Sequence, residues 1–248
     1  MTGGKAREIQ PSGASFATTR WSLVLAARDV HCPAGRKALE TLCRTYWRPL
    51  YGYVRRSGRG PEDAEDLTQA FLTKLIEKNL VQAADRGRGR FRSFLLTALK
   101  NFMADQRDRA GARKRGGRTR VVSLDLGQAE TRYRVEPTDH WTADRVFEYQ
   151  WAVTVLETVF DRLRKEHEAA GKAALFDGIK VCLTQPGAAV PYADLAERLQ
   201  MTEGALRVAV HRLRRRYRDL LREEIGHTVS SPAEVEEEMQ HLFEALAR

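Results

Sequence analysis

Between Phe91 and Phe102 the apolar residues keep one spacing. Phe91, Phe94, Leu95, Ala98, Leu99 and Phe102 stand at i, i+3, i+4, i+7, i+8 and i+11. A helix of 3.6 residues per turn gathers these positions into one stripe, and such a stripe is stable only when buried against other elements. The same periodicity recurs along most of the chain. Strand-like alternation is scarce, and only Arg120–Leu126 reads as a short extended piece. The pattern predicts an all-α fold.

The breaks between stripes divide the chain. Residues 1–18 are small and polar, and Leu23–Arg28 suits a short helix. Ala38–Arg56 is periodic but contains Pro49, so a kink or break is expected near Trp47–Leu50. Gly58-Arg59-Gly60-Pro61 is a turn. Pro61 then opens a helix whose first turns hold Glu62, Asp63, Glu65 and Asp66, and which runs to about Lys78. The glycine-rich basic loop Arg86–Arg90 precedes a helix over Phe91–Arg109, which Ala110–Gly117 ends. A second block reads as helices over Trp141–His167, Gly171–Leu183, Pro191–Leu199 and Glu203–Ile225, with a turn at Gln185–Val190. Ser231-Pro232 opens a last acidic helix to about Leu246. The expected plan is two small helical domains, 20–112 and 141–228. A basic flexible linker, 113–140, joins them, and an acidic C-terminal helix, 229–248, follows.

Charge is distributed unevenly. The formal net charge is +9 over 248 residues. Arg86–Arg120 carries 12 Lys/Arg against two acids, while the remainder is close to neutral. A basic excess held in one segment is an electrostatic footprint for a polyanion. The tail is the reverse, with seven Glu and one Arg from Glu223 to Arg248. No apolar run opens the N-terminus, so a secretory leader is not expected. Stretches such as Leu23–Ala27 fall far short of the roughly 20 residues that a membrane span needs. Cys32, Cys43 and Cys182 lack metal-ligand spacing and read as reduced thiols of a cytoplasmic protein. No metal, cofactor or membrane partner is expected.

The densest constellation is at residues 192–225. Leu206, Val210, Leu213, Tyr217 and Leu221 line one face of a helix, and Arg207, His211, Arg214, Arg215 and Arg218 crowd the other. Six Arg stand between Arg207 and Arg218 with no acid among them. Gln200-Met201-Thr202 separates this helix from the preceding one, and Thr202 suits the N-cap. Two helices joined this closely form a helix-turn-helix, whose second helix enters the major groove. Glu203, Arg207, His211 and Arg212 would then face base edges. Arg reads guanine with two hydrogen bonds, and Glu accepts from cytosine. Arg214, Arg215, Arg216 and Arg218 would meet phosphates, which add affinity without sequence information.

Two further helices carry charge. Glu62–Gln69 presents acids that would complement the helix dipole in any protein. In the basic helix, Phe91, Phe94 and Phe102 have core spacing. The loop Asp85–Arg90 with Arg92, Lys100 and Arg107 read as exposed could track a nucleic-acid backbone, and aromatic groups beside cations suit unstacked bases.

These residues resemble a known family. Asp63-Ala64-Glu65-Asp66-Leu67-Thr68-Gln69 looks like the opening of the second conserved region of bacterial sigma factors. Phe91-Arg92-Ser93-Phe94-Leu95-Leu96-Thr97-Ala98-Leu99-Lys100-Asn101, followed by Asp105, resembles the family's promoter-melting helix. Tyr192–Tyr217 is similar to its fourth region. The order and separation of the two modules resemble the extracytoplasmic-function group. The resemblance implies a subunit that binds core RNA polymerase through its clamp helices and flap, and promoter DNA. Asp63, Asp66 and Gln69 would meet the clamp helices. Arg88, Arg90, Phe91, Arg92, Phe94, Lys100, Asn101 and Arg107 would hold the single-stranded minus-ten element. Thr202, Glu203, Arg207, His211, Arg212, Arg214 and Arg215 would bind the minus-thirty-five duplex. Ala70, Phe94, Val208 and Ala209 depart from common family residues, and Gly171–Ala189 is longer than usual.

A stand-alone helix-turn-helix regulator would explain the second module but leaves the first unused. A nuclease or recombinase would need a nucleophile among arginines, and Tyr217 falls on the apolar stripe instead. The chain therefore reads as a non-enzyme. The acidic tail could fold over the arginine helix and compete with DNA, or cap the fold through Val235, Met239, Leu242 and Leu246. The resemblance also allows control by an anti-sigma protein, a kinase or the tail.

Overall fold

The computed structural model describes residues 20–85, 87, 89–112, 140–184, 191–226 and 234–247. Among them the regular structure is helical and no strand occurs. Four helices form the first unit: α1 (Arg20–Ala27), α2 (Pro33–Arg56), α3 (Pro61–Glu77) and α4 (Phe91–Ala112). A 3-10 turn, Leu80–Ala83, lies between α3 and α4. Then follow α5 (Ala143–Ala169), α6 (Ala173–Ile179), α7 (Val181–Thr184), α8 (Tyr192–Arg198), α9 (Glu203–Gly226) and α10 (Glu234–Leu246).

The start of α2 is set locally. Pro33 occupies its first turn, and the Cys32 sulfur accepts from the Gly35 N–H at 3.1 Å. Gly35 is required there, because a Cβ would lie 1.8 Å from the Asp29 carbonyl oxygen. Pro49 does not break the helix: α2 runs as one element from Pro33 to Arg56. Proline removes one backbone donor. Here Leu42, Tyr46, Trp47, Leu50, Tyr51 and Val54 pack on either side of it, and burial of an amphipathic face outweighs a single lost bond.

The longest interface joins the two halves of the sequence: α2 packs along α5. Gly52 permits the close approach, since a Cβ there would lie 2.4 Å from Gln150 Oε1. At one edge Arg48 pairs with Glu157 at 2.7 Å. Thr142 caps α5 by accepting from the Arg145 N–H at 3.2 Å. Trp151, Val155, Val159 and Leu163 of α5 are fully or almost fully buried, and buried residues from α1 to α10 form one connected core.

Boundaries differ from expectation in two places. The basic helix continues through Ala110 to Ala112. The stretch expected as one helix over Gly171–Leu183 is two, divided at Lys180. Gly178, just before the division, lies against Leu199, and a Cβ there would stand 2.6 Å from its side chain. The proposed extended piece at 120–126, the linker over 113–139, the turn at 185–190 and Ser231-Pro232 lie outside the described residues.

Candidate nucleic-acid interface

The turn between α8 and α9 is built from backbone hydrogen bonds. Gln200 adopts φ 52°, in the left-handed region. Its N–H donates to the Glu197 carbonyl at 3.0 Å, and the Met201 N–H donates to the Ala196 carbonyl at 2.9 Å. This is the pairing that closes a helix through a left-handed residue. Thr202 then starts α9, accepting from the Ala205 N–H at 3.2 Å. Leu206, Val210 and Leu213 anchor the inner face of α9.

The outer face keeps its cations. Glu203, Arg207, His211, Arg212, Arg214 and Arg215 are exposed together. Arg207 pairs with Glu203 at 3.3 Å, one turn back, and lies over the Tyr192 ring at 5.8 Å. Arg214 donates twice to the Cys182 carbonyl, at 3.2 and 3.0 Å. Arg216 departs from the phosphate role expected of it: it holds Glu166 of α5 at 2.8 and 2.7 Å and Glu223 at 3.2 Å. That fork raises Arg216 above the ordinary arginine value and draws the Glu166 carboxyl below 4.5. Tyr217 is half-buried, and burial pushes its hydroxyl up to about 12, as suits a packed residue.

The first unit presents an acidic face. Ala64, Thr68, Phe71, Leu72 and Leu75 turn α3 toward the core, which leaves Glu62, Asp63 and Asp66 exposed. Gln69 is half-buried and donates to Glu65 at 2.9 Å.

On α4 the expected site residues separate. Phe94 is partly buried, and Asn101 and Arg107 are exposed. Phe91 is a core residue, 2% exposed, in edge contact with Trp21 and Tyr46 at 6.1 and 5.5 Å. Lys100 pairs with Asp144 of α5, which raises its ammonium above the ordinary lysine value. Arg88 lies outside the described residues.

Arg92 requires a correction: the sequence reading placed it in solvent, but it is 3% exposed. Its guanidinium lies over the Trp151 ring at 4.1 Å, donates to Glu148 at 2.8 Å and pairs with Glu238 of α10. Burial holds this guanidinium below the ordinary arginine value, against the pull of Glu148. Burial also works to raise the Glu148 carboxyl, but the His241 hydrogen bond and Arg92 outweigh it and keep it low. His241 stands 3.1 Å from Glu148. Arg90 joins the same cluster, 2.8 Å from Glu238.

The acidic tail takes the second of the two arrangements open to it, a capping helix held by its apolar residues. Its helix packs through Met239, Leu242 and Ala245 against α5 and α9, and Glu236 pairs with Arg222 at 3.1 Å. The buried acid of the tail engages Arg90 and Arg92. Sequence reasoning missed Glu148, Trp151, Glu238 and His241 as site residues. One signal was available: Glu238 lies one turn before Leu242, on the apolar stripe of its own helix.

Among the described residues no cluster of His, Cys, Asp and Glu could hold a metal ion. Nor is any described helix long and apolar enough to cross a membrane. No curated protein and no solved structure matches the chain. Residues 42–113 match the family model described as Sigma-70 region 2. The matched stretch begins inside α2, takes in the acidic face of α3 and the whole of α4, and ends one residue beyond Ala112. This unit, with its exposed carboxylates on one helix and its cations on another, is similar to region 2 of the sigma-70 family of RNA polymerase sigma factors.

Proposed function

We propose that this chain is a sigma factor of the extracytoplasmic-function group, which binds core RNA polymerase and directs promoter recognition and melting. The observation that carries the reading is the pairing of two modules in one chain: a unit similar to sigma-70 region 2, and a helix-turn-helix whose outer face is crowded with Arg. In this reading Asp63, Asp66 and Gln69 meet basic clamp helices of the polymerase. Arg88, Arg90, Phe94, Asn101 and Arg107 track the opened minus-ten strand, with Arg92 and Lys100 released from their carboxylate partners to join them. Glu203, Arg207, His211 and Arg212 read the minus-thirty-five duplex, while Arg214 and Arg215 meet its phosphates. Thr202 fixes where the reading helix begins. The chain contributes binding rather than catalysis, and its place of action is the cytoplasm.

Reconstitution tests this. The purified chain is mixed with bacterial core polymerase, and run-off transcription is measured on genomic fragments. Discrete transcripts that require the chain are expected, and Asp63→Arg with Asp66→Arg should abolish them while leaving duplex binding intact. Failure to associate with core polymerase, with tight binding to a palindromic duplex instead, would make the chain a stand-alone regulator.

A further inference from the structure

The face that α10 turns inward is largely apolar, with half-buried His241 at its edge and one fully buried acid. Val235, Met239, Leu242 and Ala245 pack against the rest of the molecule, and Glu238 stands among them with no exposed surface. The other acids of the helix behave differently: Glu236, Glu237 and Glu244 are exposed, and Glu234 is half-buried. A carboxylate in an apolar seam carries a desolvation cost that only partner cations offset, and losing either side of such a pair weakens the packing around it. Glu238 is thus poorly explained as a packing residue. Its surroundings match it instead: Arg90 approaches one oxygen at 2.8 Å, and Arg92 pairs with the other.

Two guanidiniums converging on one oxyanion make the arrangement that also binds a phosphodiester. Their position is informative. Arg90 ends the loop before α4, and Arg92 lies in its first turn. The surrounding contacts prepare the pair. Trp151 supports the flat face of Arg92 at 4.1 Å, and Glu148 holds its Nε at 2.8 Å. Among the described residues only α10, a helix of 13 residues, supplies the second oxyanion.

We propose that Arg90 and Arg92 form a phosphate site for single-stranded DNA, and that Glu238 of α10 fills it in the free protein as a built-in competitor. The identification of the strand as melted promoter rests on the function proposed above; the competition itself does not. Displacing α10 exchanges one carboxylate for one backbone phosphate at the same two cations. The free chain therefore binds opened DNA weakly until α10 is drawn away.

The test uses the full chain without polymerase. Binding of a labelled single-stranded oligomer of about 12 nucleotides is measured by anisotropy from about 50 to 200 mM salt. The variants are Glu238→Leu, which keeps the apolar seam, and Glu238→Gln, which keeps the shape; thermal melting confirms that each is folded. A latch closed in about nine molecules of ten predicts about tenfold tighter binding when it is removed. With two more cations engaged, the log–log salt slope should steepen by about 1.4. Adding Arg92→Ala to Glu238→Leu should return affinity toward the wild-type value. Folded Glu238 variants with unchanged affinity and slope would overturn the latch, even if the chain supports transcription. Tighter binding by the variants in a chain that ignores core polymerase would keep the latch and remove the sigma-factor reading.

Discussion

Arg216 of α9 grips Glu166 of α5 through two near-parallel hydrogen bonds of 2.8 and 2.7 Å. The fork ties the arginine-rich helix to the longest described helix, so one member of the six-arginine run acts within the fold. Both side chains are more than a third exposed, so water screens the pair and Arg216→Ala should cost no more than about 1 kcal/mol. Its dependence on pH has a definite sign. Glu166 is held below 4.5, first by its hydrogen bond from Arg216. Its contribution is thus complete above 4.5 and is lost as pH falls through the lower folded value. Thermal melts of wild type and Glu166→Gln should differ near pH 7 and converge only once pH has fallen through the lowered folded value.

Arg207 contrasts with Arg216. Its side chain is 69% exposed and its ion pair, to Glu203, is within the same helix. Arg207→Ala should therefore leave the melting temperature almost unchanged. Discrimination between the minus-thirty-five duplex and a scrambled one should fall by about 1–3 kcal/mol. Titration of both duplexes by anisotropy checks this. An equal loss on the two sequences would make Arg207 a phosphate contact.

The turn that sets α9 on α8 contains a correctable strain. Gln200 holds φ 52°, a conformation that costs a residue with a Cβ roughly 1–2 kcal/mol. Glycine adopts it without that cost but gives up more freedom on folding. The balance predicts that Gln200→Gly stabilises by about 0.5–1 kcal/mol. A rise of a few degrees in Tm, with unchanged duplex affinity, is the expected result. A fall would mean that the Gln200 side chain supports the turn.

Much of this was legible in sequence, because helix stripes are local. Phe91, Leu95, Leu99 and Phe102 are buried as their spacing requires, and Leu206, Val210 and Leu213 likewise. The start of α9 followed from Thr202. Long-range relations were not legible. The continuity of α2 through Pro49 depends on packing from α1, α3 and α5. Arg92 looked like a surface cation because its partner Glu238 lies 146 residues further on. Spacing within α4 cannot reveal that partner. What the sequence offered was only the anomaly of an acid on the apolar stripe of the last helix.

Phe91 and Phe94 give the clearest division between folding and binding on α4. They stack on one another at 5.9 Å, but only Phe91 is enclosed, with Trp21 and Tyr46 at its edges. Phe94 keeps part of its ring exposed, on the same strip of helix as Asn101 two turns later. Phe91→Ala should cost about 3–5 kcal/mol, because it opens a cavity where α1, α2 and α4 meet. Phe94→Ala should cost clearly less stability. If the exposed part of Phe94 stacks on an unpaired base, its removal should weaken single-strand binding by about 1–3 kcal/mol. Chemical denaturation gives the first pair of values. The second comes from anisotropy with a single-stranded oligomer, read in the Glu238→Leu background so that the latch does not mask it. Loss of strand binding from Phe91→Ala in a chain that remains fully folded would reverse the assignment of the two rings.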